Sequence, residues 1–248
     1  MALVVILCQK TNPVMISRKF SMASFRLFIV FCSLVLTPCL LQAAEETLVL
    51  GDGTTVKVLF FEPREAAELP QLAILVAGGS SNEFMARAQF WLGKELVDRG
   101  WAIAVPISPS GRRFFVENGQ IFPEIIERLH ASHKLKESKS LLVGISSGGS
   151  AALAIATQNP GADLGVVATP GRLWDESLIT SLQGLPIYLR IGERDDFRWN
   201  RKLASMVDIL HDAGARVDAA IVPDARHIFQ LDWDDMEAWL TRLQQPEP

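Results

Sequence analysis

The stretch LLVGISSGGSAALAIA, residues 141–156, decides how the chain reads. An apolar run leads into three glycines and three serines and then into a second apolar run. That is a strand, a tight turn and a helix. A strand-to-helix turn needs glycine for backbone reasons alone, so small residues here need no chemistry. The spacing Gly144-Ile145-Ser146-Ser147-Gly148 is more specific, because it matches G-x-S-x-G between a strand and a helix. In such a turn the serine backbone is strained and its hydroxyl stands clear. The residues two before and two after it approach so closely that only very small side chains fit. Of the three serines, only Ser146 has glycine at both flanking sites.

On either side, strand and helix patterns alternate. TLVLGDGTTVKVLFFEP (47–63) reads as a hairpin around Gly-Asp-Gly, and QLAILVAGG (71–79) as a strand buried on both faces. Residues 83–98 have helical spacing, with Gly100 as the stop signal. Strands at 101–108, 140–146, 164–169, 185–192 and 216–223 follow, separated by helical segments that include 122–135, 148–158 and 200–214. A final helix begins at Trp233. The pattern predicts an α/β fold: a mostly parallel central sheet, helices on both faces and an N-terminal β-hairpin.

A serine hydroxyl needs a base to take its proton. His130, His133 and His211 lie on or beside helices, where packing or solvation accounts for them. His227, in VPDARHIF, follows the last strand and precedes the last helix, on a loop at the sheet edge where Ser146 is expected. An exposed loop histidine is the competing reading. The base in turn needs a carboxylate to fix its tautomer. IYLRIGERDDF ends a strand with Asp195 and Asp196. The order Ser146, acid, His227 is that of the α/β-hydrolase triad.

From about residue 47 to 243 the chain resembles an α/β hydrolase. PIYLRIGERDDF is similar to the family's strand ending in G-x-x-D, which points to Asp195 as the acid, with Asp196 its rival. HDAGARVDAAIVPDARHIF and GISSGGSAA resemble small esterases of the acyl-protein thioesterase, dienelactone hydrolase and polyhydroxybutyrate depolymerase type. The resemblance implies a serine hydrolase cleaving carboxylic esters or thioesters through an acyl-enzyme, without cofactor or metal. It also implies oxyanion donors at the backbone of Ser147 and of the AGGSS turn, Gly79 foremost and Ser80 beside it. Many members have His-Gly at that turn where this chain has Ala77-Gly78. Two alternatives stay open: a small serine peptidase of prolyl-oligopeptidase-like type, and a non-catalytic hydrolase-fold binding module.

Only PGRLWDESLITSLQG lies between the strands ending near Thr169 and starting at Leu185, which leaves little or no room for a cap domain. Phe114, Phe115 and Trp174 are candidate substrate-binding residues, with Trp199 also near the expected mouth and Arg112 and Arg113 candidates for an anionic substrate. Core aromatics and solvated charges are the competing readings.

The N-terminal residues are of another kind. Lys10, Arg18, Lys19 and Arg26 are the only charges before Glu45, and an apolar run from Leu27 to Leu41 leads into Ala43 and Ala44. This describes a signal peptide over residues 1–43, ahead of a hydrolase domain at 44–248 in the periplasm or outside the cell. Met22 is an alternative start. The apolar run is shorter than the roughly 20 residues a spanning helix needs. LTPC at 36–39 offers a second form of membrane contact, a lipid on Cys39, although Pro38 departs from the lipoprotein pattern. All three cysteines, Cys8, Cys32 and Cys39, fall in this leader. Its removal leaves 20 basic against 28 acidic residues, and no basic cluster extends beyond Arg112-Arg113. Nucleic acid is therefore not an expected partner. A small-molecule ester is.

Overall fold

In the computed structural model the chain divides into two units, Met1–Leu41 and Gln42–Pro248. The described residues, 43–64, 68–114, 119–159, 161–179 and 181–244, all belong to the second. The expected leader, including Cys8, Cys32 and Cys39, lies outside them.

Among the described residues eight strands form one sheet: β1 Ala44–Val49, β2 Thr55–Phe61, β3 Leu72–Val76, β4 Ala102–Pro106, β5 Ser140–Gly144, β6 Asp163–Ala168, β7 Pro186–Gly192 and β8 Arg216–Val222. Their spatial order is β1-β2-β4-β3-β5-β6-β7-β8. The β1–β2 hairpin is antiparallel and joins β4 antiparallel; every other pairing is parallel. Every residue of β3, β4 and β5 is buried, as their uninterrupted apolar sequences predict for strands covered on both faces. Each Val, Leu or Ile removed from water there contributes about 1.5–3 kcal/mol.

The helices are α1 Glu83–Ala88, α2 Phe90–Asp98, α3 Phe122–Ser132, α4 Ser147–Gln158, α5 Leu203–Asp212 and α6 Trp233–Gln244. In α3, Pro123 occupies the first turn, where a missing N–H costs nothing, and Phe122, Ile125 and Leu129 form the buried stripe. In α6, Asp234 and Asp235 sit in the first turn and Arg242 in the last, matching the helix dipole, while Met236, Trp239 and Leu240 face inward. One expected element differs. Residues 83–98 form two helices broken at Gln89, whose backbone (φ −101°, ψ 6°) leaves the helical region. The segment between β6 and β7 is a loop with one short 3₁₀ turn, Glu176–Leu178, so no cap domain stands there among the described residues.

The sheet order places the site. β5 lies between β3 and β6, with Gly144 level with Val76 on one side and Ala168 on the other. β7 and β8 end together, Gly192 opposite Val222. The loops leaving β3, β5, β6, β7 and β8 therefore meet at one edge of the sheet.

Candidate active site

Ser146 stands at the turn from β5 into α4 with φ 59° and ψ −123°, a conformation that side-chain-bearing residues rarely take. Holding it costs on the order of 1–3 kcal/mol. Two glycines make it reachable. A Cβ on Gly144 would lie 2.2 Å from the Gly148 carbonyl oxygen, and one on Gly148 would lie 2.0 Å from that of Val76. The elbow closes only because both side chains are absent.

His227 lies five residues beyond β8 and is buried, 7% exposed. Its Nε2 is 2.8 Å from the Ser146 hydroxyl and its Nδ1 is 2.6 Å from Asp195 Oδ2. The Asp195 side chain is fully buried. Its other oxygen, Oδ1, accepts the backbone N–H groups of Phe197 (2.9 Å) and Trp199 (3.1 Å). Phe197 and Trp199 also pack edge-on against the imidazole, at 4.5 and 4.9 Å between ring centres. The rival carboxylate, Asp196, turns outward to Arg226, and that hydrogen-bonded guanidinium holds it below the usual carboxylate range. The loops after β7 and β8 are tied to each other. The N–H groups of Glu193 and Arg194 donate to the carbonyls of Val222 and Ala225, and a Cβ on Gly192 would strike the Arg226 carbonyl at 2.1 Å.

The Ala77–Ser81 turn after β3 closes over Ser146. A Cβ on Gly78 would lie 2.6 Å from the Ile145 carbonyl oxygen and 3.1 Å from Ser146 Cβ. Gly79 has φ +62°. The Ser147 hydroxyl donates to the Gly79 carbonyl (3.1 Å), Ser81 Oγ donates to the Ala77 carbonyl (2.7 Å), and the Ser81 N–H donates to the Gly78 carbonyl. The Ser147 N–H is in the first turn of α4, where a helix supplies no acceptor.

A cleft of about 810 Å³ opens over Ser146, walled by Gly79, Arg112, Arg113, Arg172, Trp174 and Phe197. The Arg172 guanidinium stacks 3.8 Å over Trp174, and its Nε is buried without an acceptor among the described residues. The Arg172 backbone N–H is held by Ser150 Oγ at 2.9 Å, which fixes this wall to α4.

The structure thus brings together Ser146, His227, Asp195, Gly79, Ser147 and Trp174. It places Phe114 elsewhere: 1% exposed, it packs edge-on against Phe122 in the hydrophobic core and does not line the cleft. An apolar ring on the irregular stretch after β4 finds more apolar surface inward than at an open mouth, and the core takes it. Phe115 lies outside the described residues. Arg172 and Phe197 are cleft residues that sequence reading did not single out. His133 stacks on Phe60 and meets Glu46, and His211 lies in the last turn of α5. No group of three or more potential metal-ligating side chains occurs among the described residues.

Residues 116–239, half of the chain, match the Dienelactone hydrolase family. No curated protein sequence matches. Among solved structures, an esterase from Pyrococcus furiosus is similar with a TM-score of 0.67 at 13% identity, over 93% of this chain and 99% of that one. A dienelactone hydrolase from Anabaena variabilis is similar with a TM-score of 0.59 at 18% identity, over 82% of this chain and 96% of that one. A thermostable esterase gives 0.58 at 15% identity and 74% coverage of this chain, which spans 55% of that protein's length. At these identities the likeness is one of fold.

Proposed function

The chain belongs to the dienelactone hydrolase family, hydrolases that act on esters, and from that premise we propose a serine hydrolase working through Ser146, His227 and Asp195. The observation that carries the reading is the continuous 2.8 and 2.6 Å contact from hydroxyl to imidazole to buried carboxylate. Asp195 Oδ2 accepts from Nδ1–H, which leaves the Nε2 lone pair for the Ser146 proton. As Ser146 Oγ attacks the ester carbonyl, His227 takes that proton and becomes an imidazolium beside the Asp195 charge. It then gives the proton to the leaving alkoxide or thiolate. The acyl-enzyme is cleared by water, with His227 again acting as base.

The tetrahedral oxyanion takes the N–H groups of Ser147 and Gly79. Peptide geometry favours Gly79 over Ser80. Both bonds are trans, so C=O and N–H point opposite ways across each. The Gly78 carbonyl turns into the turn toward Ser81, which leaves the Gly79 N–H on the outer side. The Gly79 carbonyl turns toward the Ser147 hydroxyl, which carries the Ser80 N–H away from it. Arg112, Arg113, Arg172 and Trp174 suit a substrate with an acidic group and a flat or apolar portion.

A fluorophosphonate probe should label the purified protein, and Ser146→Ala should abolish labelling. Labelling that persists in the mutant removes the assignment. Turnover of p-nitrophenyl esters without turnover of peptide anilides distinguishes an esterase from a peptidase.

Residues 1–43 are proposed as a cleaved secretory leader before the hydrolase domain at 44–248. Removal after Ala43 would leave β1, which begins at Ala44, intact. The mature N-terminus, read by mass spectrometry from the exported protein, tests this.

A further inference from the structure

We propose that Gln89 is a positioning residue for the oxyanion turn, supplying from the break between α1 and α2 the anchor that sets where the Gly79 N–H points. The inference rests on the serine-hydrolase reading above and goes beyond it by assigning a role to a side chain outside the triad and its donors. Gln89 Oε1 accepts the Gly78 backbone N–H at 2.6 Å. That turn presses directly on the nucleophile, since Gly78 leaves no room for a Cβ between the Ile145 carbonyl and Ser146 Cβ. Whatever holds Gly78 therefore sets the gap between Ser146 and the next amide along, that of Gly79.

The other fastenings of the turn act on different atoms. Ser81 Oγ closes onto Ala77, the Ser81 N–H onto Gly78, and Ser147 Oγ holds the Gly79 carbonyl. These fix the shape of the turn and its tie to α4. Gln89 alone among these contacts binds the N–H that precedes the donor, and it withdraws that N–H from the cleft. With the Gly78 amide committed outward, two aligned donors remain at the cleft, on Gly79 and Ser147. The break in the expected 83–98 helix fits this use. Gln89 closes α1, its N–H reaching the Arg87 and Met85 carbonyls, while its side chain is free to reach across 11 residues to the turn.

The test compares Gln89→Met, which keeps length and volume but accepts poorly, with Gln89→Glu, which keeps the acceptor. Ester kinetics are measured with active sites titrated by the fluorophosphonate, together with inhibition by a trifluoromethyl ketone, which forms a tetrahedral adduct. For Gln89→Met we expect kcat to fall about 10- to 100-fold with KM within twofold. Ketone affinity should weaken by a similar factor, because it reads the oxyanion donors, and Gln89→Glu should restore both to within about threefold. A general structural defect would lower the titrated fraction or Tm and leave those ratios unchanged in the surviving sites. Should Gln89→Met fail to fold, Gln89→Leu takes its place.

The proposal falls if the acceptor-less variant turns over like wild type, if kcat drops without loss of ketone affinity, or if Gln89→Glu does not rescue. A wild-type protein that neither hydrolyses esters nor takes the fluorophosphonate overturns the hydrolase reading itself. Activity that is intact in wild type and unmoved by Gln89→Met overturns the anchor alone.

Discussion

Two aspartates are buried in this sheet, one past the end of β7 and one at the start of β6, and they live in opposite surroundings. Asp195 accepts two backbone N–H groups and the His227 imidazole, so the donors that burial removes from water are replaced one by one. Asp163 is 7% exposed at the other end of the sheet. Burial pushes its carboxyl up to about 7, against which only the Lys139 charge pulls down. Beside it, across the β5–β6 pairing, Ser140 Oγ is buried without a partner among the described residues. The same residue type is thus ringed by donors where the loops converge and disfavoured as an anion by burial where the strands begin. Donor geometry separates the two cases, since depth does not.

Breaking the first environment has the largest expected effect. Asp195→Asn keeps the shape but presents the wrong hydrogen-bonding face to Nδ1, and kcat for a p-nitrophenyl ester should fall about 10⁴-fold, with circular dichroism unchanged. Relieving the second environment should instead stabilise. With its folded pKa raised above that of the unfolded chain, Asp163 binds its proton more tightly when folded. Stability then declines as pH rises from about 4 to about 7 and is flat above that. Holding this carboxylate ionised in the folded chain costs about 4 kcal/mol at most. Urea unfolding of Asp163→Asn should show a gain approaching that figure at pH 8 and little gain at pH 4, with esterase activity retained. A gain of equal size at both pH values would contradict burial as the cause.

The smallest effect is expected at Asp196, adjacent in sequence to Asp195. Its carboxylate is solvent-facing and paired with Arg226, an exposed arrangement that water and salt screen and that contributes little. Asp196→Asn should leave kcat/KM within about threefold of wild type in the same ester assay.

Much of this was legible from the chain itself because the signals are local. The G-x-S-x-G elbow announces itself through glycines whose missing side chains the turn requires. The order of Ser146, Asp195 and His227 follows from which strand each residue succeeds. What could not be read depends on tertiary partners. Gln89 sits in a stretch with helical spacing, and nothing there signals a helix break or a glutamine turned to a distant amide. The N–H groups that steady Asp195 belong to the backbone of Phe197 and Trp199, and backbone donors leave no mark on residue identity. Phe114 shows the converse failure. An aromatic in an irregular segment carries no periodicity to say which way it faces, and it went to the core. Arg172 gained its place through stacking on Trp174, a contact between side chains on one loop whose course only the fold sets.

The tie between the β7 and β8 loops has a consequence for when the chain becomes reactive. β8 is an outer strand of the sheet and the last to be made, and His227 reaches Ser146 from the loop that leaves it. Under the serine-hydrolase proposal, a nascent or partly assembled molecule that has completed β5 but not docked β8 carries the Ser146 hydroxyl without the His227 imidazole beside it. On that reading hydrolytic competence arrives with the final strand, and the unfinished chain is silent toward esters.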